Sequence, residues 1–187
     1  EVSGQLDARA EKGEMPALRR SSMHGCRGEA PAPRRLNVHG RRDSKPAPEQ
    51  LKARSKAAFD EQAPIYDEGM QGGHARALHP CIIEEVRRAM EDIPAPSVLD
   101  VGCGTGMLSE QLLSVFPSCH LTGIDLSPAM VERARARLAG RAEVREADAE
   151  RLPFHDGVFD LVVCNDSFHH YPDPDRAAFQ MWRVLRK

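Results

Sequence analysis

The chain has 187 residues, a net charge of −2 and 41% apolar residues, enough for one domain with chain to spare. It holds no apolar run near the roughly 18 residues of a membrane-spanning helix, and its start lacks the apolar centre of a secretory signal. Charge is split along the chain: residues 1–55 carry 12 Lys/Arg against 7 Asp/Glu, whereas residues 56–187 carry 14 against 21. An acidic body speaks against nucleic acid as a partner, because a phosphate backbone needs a basic face. The five cysteines (Cys26, Cys81, Cys103, Cys119, Cys164) show no CxxC or zinc-ligand spacing. That pattern predicts free thiols in a reducing, cytoplasmic setting.

From Glu1 to about residue 55 the chain is rich in Gly, Pro, Arg and Ser, with no aromatic residue. It has too little apolar surface to offset its chain entropy, so a disordered basic tail over 1–55 is predicted, followed by a domain over 56–187. A weak helical pattern runs from Leu51 to Tyr66. A stronger one follows Pro80, with Ile82, Ile83, Val86, Ala89, Met90 and Ile93 on one face and Pro94 and Pro96 as its stop. Then strand and helix alternate. Val98–Val101 is a short buried strand, Met107–Phe116 a helix and His120–Ile124 a second strand.

Ser127 and Pro128 suit the N-cap and first position of the next helix, with Met130, Val131, Ala134 and Leu138 inward. Residues 142–146 alternate apolar and charged, as an edge strand does. Phe159–Cys164 is mostly apolar and predicts a buried strand. Asp173-Pro174 starts a last helix, with Phe179, Trp182 and Leu185 predicted to face inward. Such alternation predicts an α/β fold, a parallel sheet with right-handed crossovers.

The informative segment is VLDVGCGTG at 98–106, which puts Asp100, Gly102, Gly104 and Gly106 between a strand and a helix. Open α/β sheets bind ligands at that end of the strand, and glycines let a ligand lie against the backbone. The spacing is GxGxG, not the GxGxxG that holds a dinucleotide pyrophosphate. Asp125 ends the second strand, where an acid can accept hydrogen bonds from both hydroxyls of a ribose. Asp148 and Ala149 follow the edge strand, where an acid can accept from an adenine amino group. Each position has a purely structural reading as a turn or helix-start acid. Together they lie at the ends of consecutive strands.

VLDVGCGTG, LTGIDLSPAM, EADAERLPF and FDLVVCNDSFHHYPDP resemble successive motifs of the class I S-adenosylmethionine-dependent methyltransferases. The likeness extends to the type 11 group, which includes ubiquinone/menaquinone-biosynthesis methyltransferases. It spans about residues 56–187. The resemblance implies a Rossmann-like sheet with helices on both faces and S-adenosylmethionine as cofactor. By position it implies that Asp100, Gly102, Gly104 and Gly106 border the methionine portion, with Asn165 beside it. Asp125 would hold the ribose, Asp148 and the Ala149 backbone would read adenine, and Tyr66 would close over the cofactor.

The sulfonium is already activated, so such a site mainly aligns donor and acceptor. His169 and His170 are candidates for a general base, with an orienting or packing pair as the other reading. Adjacent histidines with no third ligand do not make a metal site. Cys103 fits a small packing residue rather than a nucleophile.

Family members usually continue past the position of Lys187 through a Pro-Gly-Gly turn into further strands. The resemblance therefore implies a fragment, strands one to four of the usual seven in order 3-2-1-4. Phe159–Cys164 would be left as an uncovered edge, and poor solubility is expected of it. The expected function is methyl transfer to a small-molecule acceptor. The alternatives are a non-catalytic nucleoside- or partner-binding module and a nicotinamide-dependent oxidoreductase.

Overall fold

The computed structural model describes residues 46–187; the expected tail falls outside the described residues as far as residue 45. Helix α1 (Pro48–Gln62) leads through a 3₁₀ segment (Ala63–Glu68) into α2 (Met70–Ala89). There follow β1 (Ser97–Val101), α3 (Met107–Val115), β2 (His120–Asp125), α4 (Pro128–Leu138), β3 (Glu143–Glu146), β4 (Leu161–Val163), a 3₁₀ turn (Phe168–His170) and α5 (Pro174–Val184). The four strands form one parallel sheet in the order β3-β2-β1-β4. This is the Rossmann-like α/β arrangement.

The pleat sorts the core. Val98 on β1 joins Leu112, Leu121, Val131 and Leu138 on the face covered by α2, α3 and α4. Leu99 and Val101 turn the other way and pack with Ile124, Phe159, Ala177 and Val184 beneath α5. Alternate residues of a strand point to opposite faces, so one short apolar strand serves both layers. Helix α4 starts as its sequence dictates. Ser127 Oγ accepts from the Met130 amide at 3.1 Å, Pro128 opens the helix, and Met130, Val131, Ala134 and Leu138 are its buried residues.

Four expectations need correction. The helix expected after Pro80 begins ten residues earlier, at Met70, and carries Pro80 inside it. Its buried stripe opens with Gly72, Ala75 and His79, small and polar residues that an apolar-spacing test does not register. Gly72 is required there, since a Cβ would lie 2.2 Å from the Tyr66 carbonyl oxygen. The boundary placed at residue 55 falls inside α1, which starts at Pro48.

On α5 the inner residues are Ala177 and Val184, with Met181 partly buried against the same cluster, whereas Phe179 is exposed. Phe179 and Trp182 instead lie against each other with ring centroids 5.9 Å apart. Small Ala177 lets the helix sit close to the sheet, which leaves Phe179 outside with Trp182 half-buried beside it. Finally, only Leu161–Val163 of the expected 159–164 strand pairs as a strand. Its flank is partly covered: the Val158 and Phe159 amides donate to Val184 O at 2.8 and 2.9 Å, and Phe159 forms a parallel bridge with Leu185.

Candidate cofactor site

All the strands end on one side of the sheet, and an open cleft lies there. Tyr66, Gly102, Gly104, Asp125, Asp148, Ala149 and Asn165 line it. An inner recess of about 360 Å³ is bordered by Asp100, Gly102, Gly104 and Asn165, with Tyr66 shared between the two spaces. An outer groove, also touching Tyr66, is lined by Leu51, Arg54, Phe59, His169, His170 and Pro172. The sheet thus brings together every position singled out in the sequence except Gly106, which borders none of these spaces.

The three glycines of the loop do different work. Gly102 and Gly106 have positive φ, 73° and 81°, and each is closed in by protein. A Cβ on Gly102 would sit 2.4 Å from Ser167 Oγ, and one on Gly106 would sit 3.1 Å from the Ala134 side chain. Gly106 is therefore the contact that lets α3 start against α4. Gly104, at φ 54°, has nothing within 4 Å of a Cβ position, so its open side is available to a ligand.

The loop is pinned by the end of β2. The Gly102 and Cys103 amides both donate to Ile124 O, and the Gly104 amide donates to Asp125 Oδ2 at 2.9 Å. Asp125 Oδ1 accepts from the Ser127 amide at 2.9 Å. Each carboxylate oxygen keeps a lone pair for a further donor. Burial raises the Asp125 pKa, and the amides that bond it offset part of that.

Asp100 is almost fully buried and accepts from Ser109 Oγ at 2.7 Å. Burial pushes its pKa up to about 6, against the pull of the Ser109 bond. Cys103 is buried, its thiol pushed well up by desolvation, and its sulfur packs at 3.1 Å from a Cβ position on Gly123. These are the marks of a packing residue rather than a nucleophile.

Asp148 is not alone. Its Oδ1 accepts from the Glu150 amide at 2.8 Å, and its Oδ2 accepts from Lys52 Nζ at 2.7 Å. Lys52 also reaches Glu150 Oε2 at 2.6 Å. Asn165 donates through Nδ2 to Ala75 O at 3.3 Å, and its Oδ1 is buried without a hydrogen-bond partner. His170 borders both the cleft and the outer groove, whereas His169 borders only the groove. Their rings lie 3.9 Å apart, and His170 meets the Phe59 ring edge-on at 5.0 Å. Burial, then the neighbouring His169, lowers the His170 pKa, leaving a neutral imidazole at pH 7. Among the described residues no cluster of His, Cys, Asp or Glu could hold a metal ion.

Residues 98–187 match the family model described as "Methyltransferase domain". The malonyl-(acyl-carrier protein) O-methyltransferase of Geobacter sulfurreducens is 43% identical over 97 residues, covering 51% of this chain and 36% of that protein. Its namesake in Hahella chejuensis is 36% identical over 138 residues, 72% of this chain and 47% of that protein. The demethylmenaquinone methyltransferase of Thermus thermophilus is 39% identical over 100 residues, 52% of this chain and 45% of that protein. Over residues 98–187 the chain is thus similar to the methyltransferase domain of these proteins.

The chain spans half or less of the length of these curated relatives. The crystal structure of the (4+2)-cyclase SpnF shares the methyltransferase fold, with a TM-score of 0.59 at 21% identity over 72% of this chain and 56% of that one.

S-adenosylmethionine is the cofactor that the motif resemblance implies, and the donor set of the cleft suits it. Four carboxylates (Asp125, Asp148, Glu150, Asp166) against two lysines, Lys52 and Lys56, each paired with an acid, favour a cationic ligand; Gly104 leaves backbone open, and Asn165 Oδ1 has no hydrogen-bond partner among the described residues. Three contributors escaped the sequence reading. Lys52 lies in the segment assigned to the tail. Ser167 donates to Val101 O at 3.0 Å and approaches Tyr171 Oη at 2.9 Å, so both brace the glycine loop. The SFHHY string carries these two residues, but nothing in their spacing announces that contact.

Proposed function

We propose that this chain binds S-adenosylmethionine in the strand-end cleft and transfers its methyl group to a small-molecule acceptor. The observation that carries this reading is Asp125. A buried-edge carboxylate is clamped between the Gly104 and Ser127 amides, beside an open glycine and one strand from a second acid. In this reading Asp125 accepts from the ribose hydroxyls, while Asp148 and the Ala149 backbone meet adenine. Gly102 and Gly104 border the methionine portion with Asp100 and Asn165 behind it, and Tyr66 closes the cleft where it meets the outer groove. Gly106 contributes helix packing rather than contact.

When bound, the sulfonium supplies an already activated methyl group, so the chain's own task is alignment and exclusion of water. The acceptor enters along the outer groove, between α1 and the Phe168–His170 turn. His170 stands at the junction of groove and cleft, and its neutral ring can take the proton from an acceptor hydroxyl or amine. Relatives named for malonyl-(acyl-carrier protein) and for demethylmenaquinone support an acceptor of small-molecule or carrier-linked type. The fold by itself does not carry the reaction, since a cyclase shares it.

Asp125→Ala tests the reading. Loss of two charge-assisted hydrogen bonds weakens S-adenosylhomocysteine binding by about 1.5–3 kcal/mol, read by titration calorimetry. An unchanged affinity contradicts the ribose assignment.

A further inference from the structure

The inner recess contains an imidazole with an unassigned nitrogen. His79, on α2, is 2% exposed and lines the recess with Asp100, Gly104 and Asn165. Its Nδ1 lies 3.2 Å from Gln111 Oε1. Donating to that amide oxygen, Nδ1 carries the ring proton and leaves Nε2 as a bare acceptor. Among the described residues Nε2 has no hydrogen-bond partner. Burial lowers the pKa of the ring, the Gln111 bond offsets part of this, and the nearby Arg76 charge adds to the lowering.

A second acceptor is at hand: among the described residues Asn165 Oδ1 is buried without a partner, and an unmet buried acceptor is destabilising. Behind both stands the Asp100 carboxyl, with only Oδ2 engaged by Ser109. Among the described residues no Lys or Arg lines the recess, although Arg76 lies close by. Several acceptors in one wall describe a seat for a group that brings hydrogen-bond donors.

We propose that His79 is a binding residue for a primary ammonium group, accepting one of its N–H bonds through Nε2 while Asn165 Oδ1 takes another. This rests on the cofactor reading above, under which the ammonium is that of the methionine portion. The Gln111 contact fixes the tautomer, and α2 fixes the ring at the wall of the recess. The ring therefore selects ligands that keep the amino group over those that lack it.

The test uses the full chain and two ligands: S-adenosylhomocysteine and its deamino analogue, identical but without the amino group. The wild type binds the first at least tenfold tighter. His79→Phe, which keeps a ring and removes both nitrogens, loses about tenfold for S-adenosylhomocysteine and nothing for the analogue. Equal losses for both ligands mean that His79 only supports the fold, and no loss for S-adenosylhomocysteine means that it does not touch the ligand. Either result overturns the proposal.

Imidazole nitrogen-15 spectra of the wild-type chain give the same answer without a variant. The unprotonated Nε2 signal shifts with S-adenosylhomocysteine and stays in place with the deamino analogue; a signal that ignores both ligands overturns the proposal. A folded wild type that binds neither ligand instead overturns the cofactor reading on which it rests.

Discussion

Asp100 is a carboxyl whose charge is set by burial more than by partners. Its single hydrogen bond, from Ser109, does not offset the loss of water, and its pKa rises to about 6 from the ordinary 3.8. In the unfolded chain the group ionises at the ordinary value, so between about pH 4 and pH 6 the folded state holds a proton that the unfolded state has lost. Raising the pH through that window therefore favours unfolding. Stability from Asp100 is fully present below pH 4 and gone above about pH 6, a span on the order of 3 kcal/mol.

Chemical denaturation of wild type and Asp100→Asn across pH 4–7 reads this directly. Relative to the variant, the wild type loses stability as pH rises from 4 to 6. A difference that stays flat, or grows with pH, contradicts the account. At this scale the sequence was most readable: Asp100, Asp125, Asp148 and Asn165 lie at strand ends, where position alone brings them together. His79, Ser167 and Tyr171 were not readable, because their partners lie on other elements.

Helix α1 has none of its residues fully buried, so core burial does not hold it. Ionic and capping contacts from one side of the helix do. Lys52 bridges Asp148 and Glu150. Asp60 accepts from Ser127 Oγ at 2.6 Å and faces the Ala129 amide at 3.3 Å, placing a carboxylate at the start of α4. Lys56 pairs with Asp60 along the helix at 3.1 Å.

The first turns of the helix, residues 48–55, are mostly polar, and a polar pattern next to a Pro- and Arg-rich stretch reads as tail. Its order comes from acids about a hundred positions away, which no local test registers. Removing the Lys52 charge leaves the Glu150 carboxylate, whose side chain is 5% exposed, without its ion pair and with the Asp173 amide as its remaining donor. Lys52→Met is thus expected to cost about 3 kcal/mol, the low end for breaking a buried ion pair, measured by urea denaturation. Lys52→Arg is expected to recover most of it. A loss under 0.5 kcal/mol, the usual range of a surface change, would show that α1 does not depend on this bridge.

For the whole molecule, the order β3-β2-β1-β4 and the division of helices between the two faces followed from the alternation of patterns and from the family likeness. Parallel strands admit few connections, so strand count and chain order nearly determine the topology. What the pattern missed is the partial covering of β4. The Arg186 amide donates to Phe159 O at 2.8 Å, and its guanidinium pairs with Asp160 at 2.5 Å. Such pairing starts after a helix and has no periodicity to detect.

The sheet's combined effect is to gather Asp100, Asp125, Asp148 and Asn165 at one end, from four strands and their following loops. That gathering is the central claim, and calorimetric titration of the chain with S-adenosylhomocysteine, with NAD as control, tests it most directly. The account predicts saturable one-site binding of S-adenosylhomocysteine and none of NAD. A folded chain that binds NAD instead, or neither ligand, contradicts it.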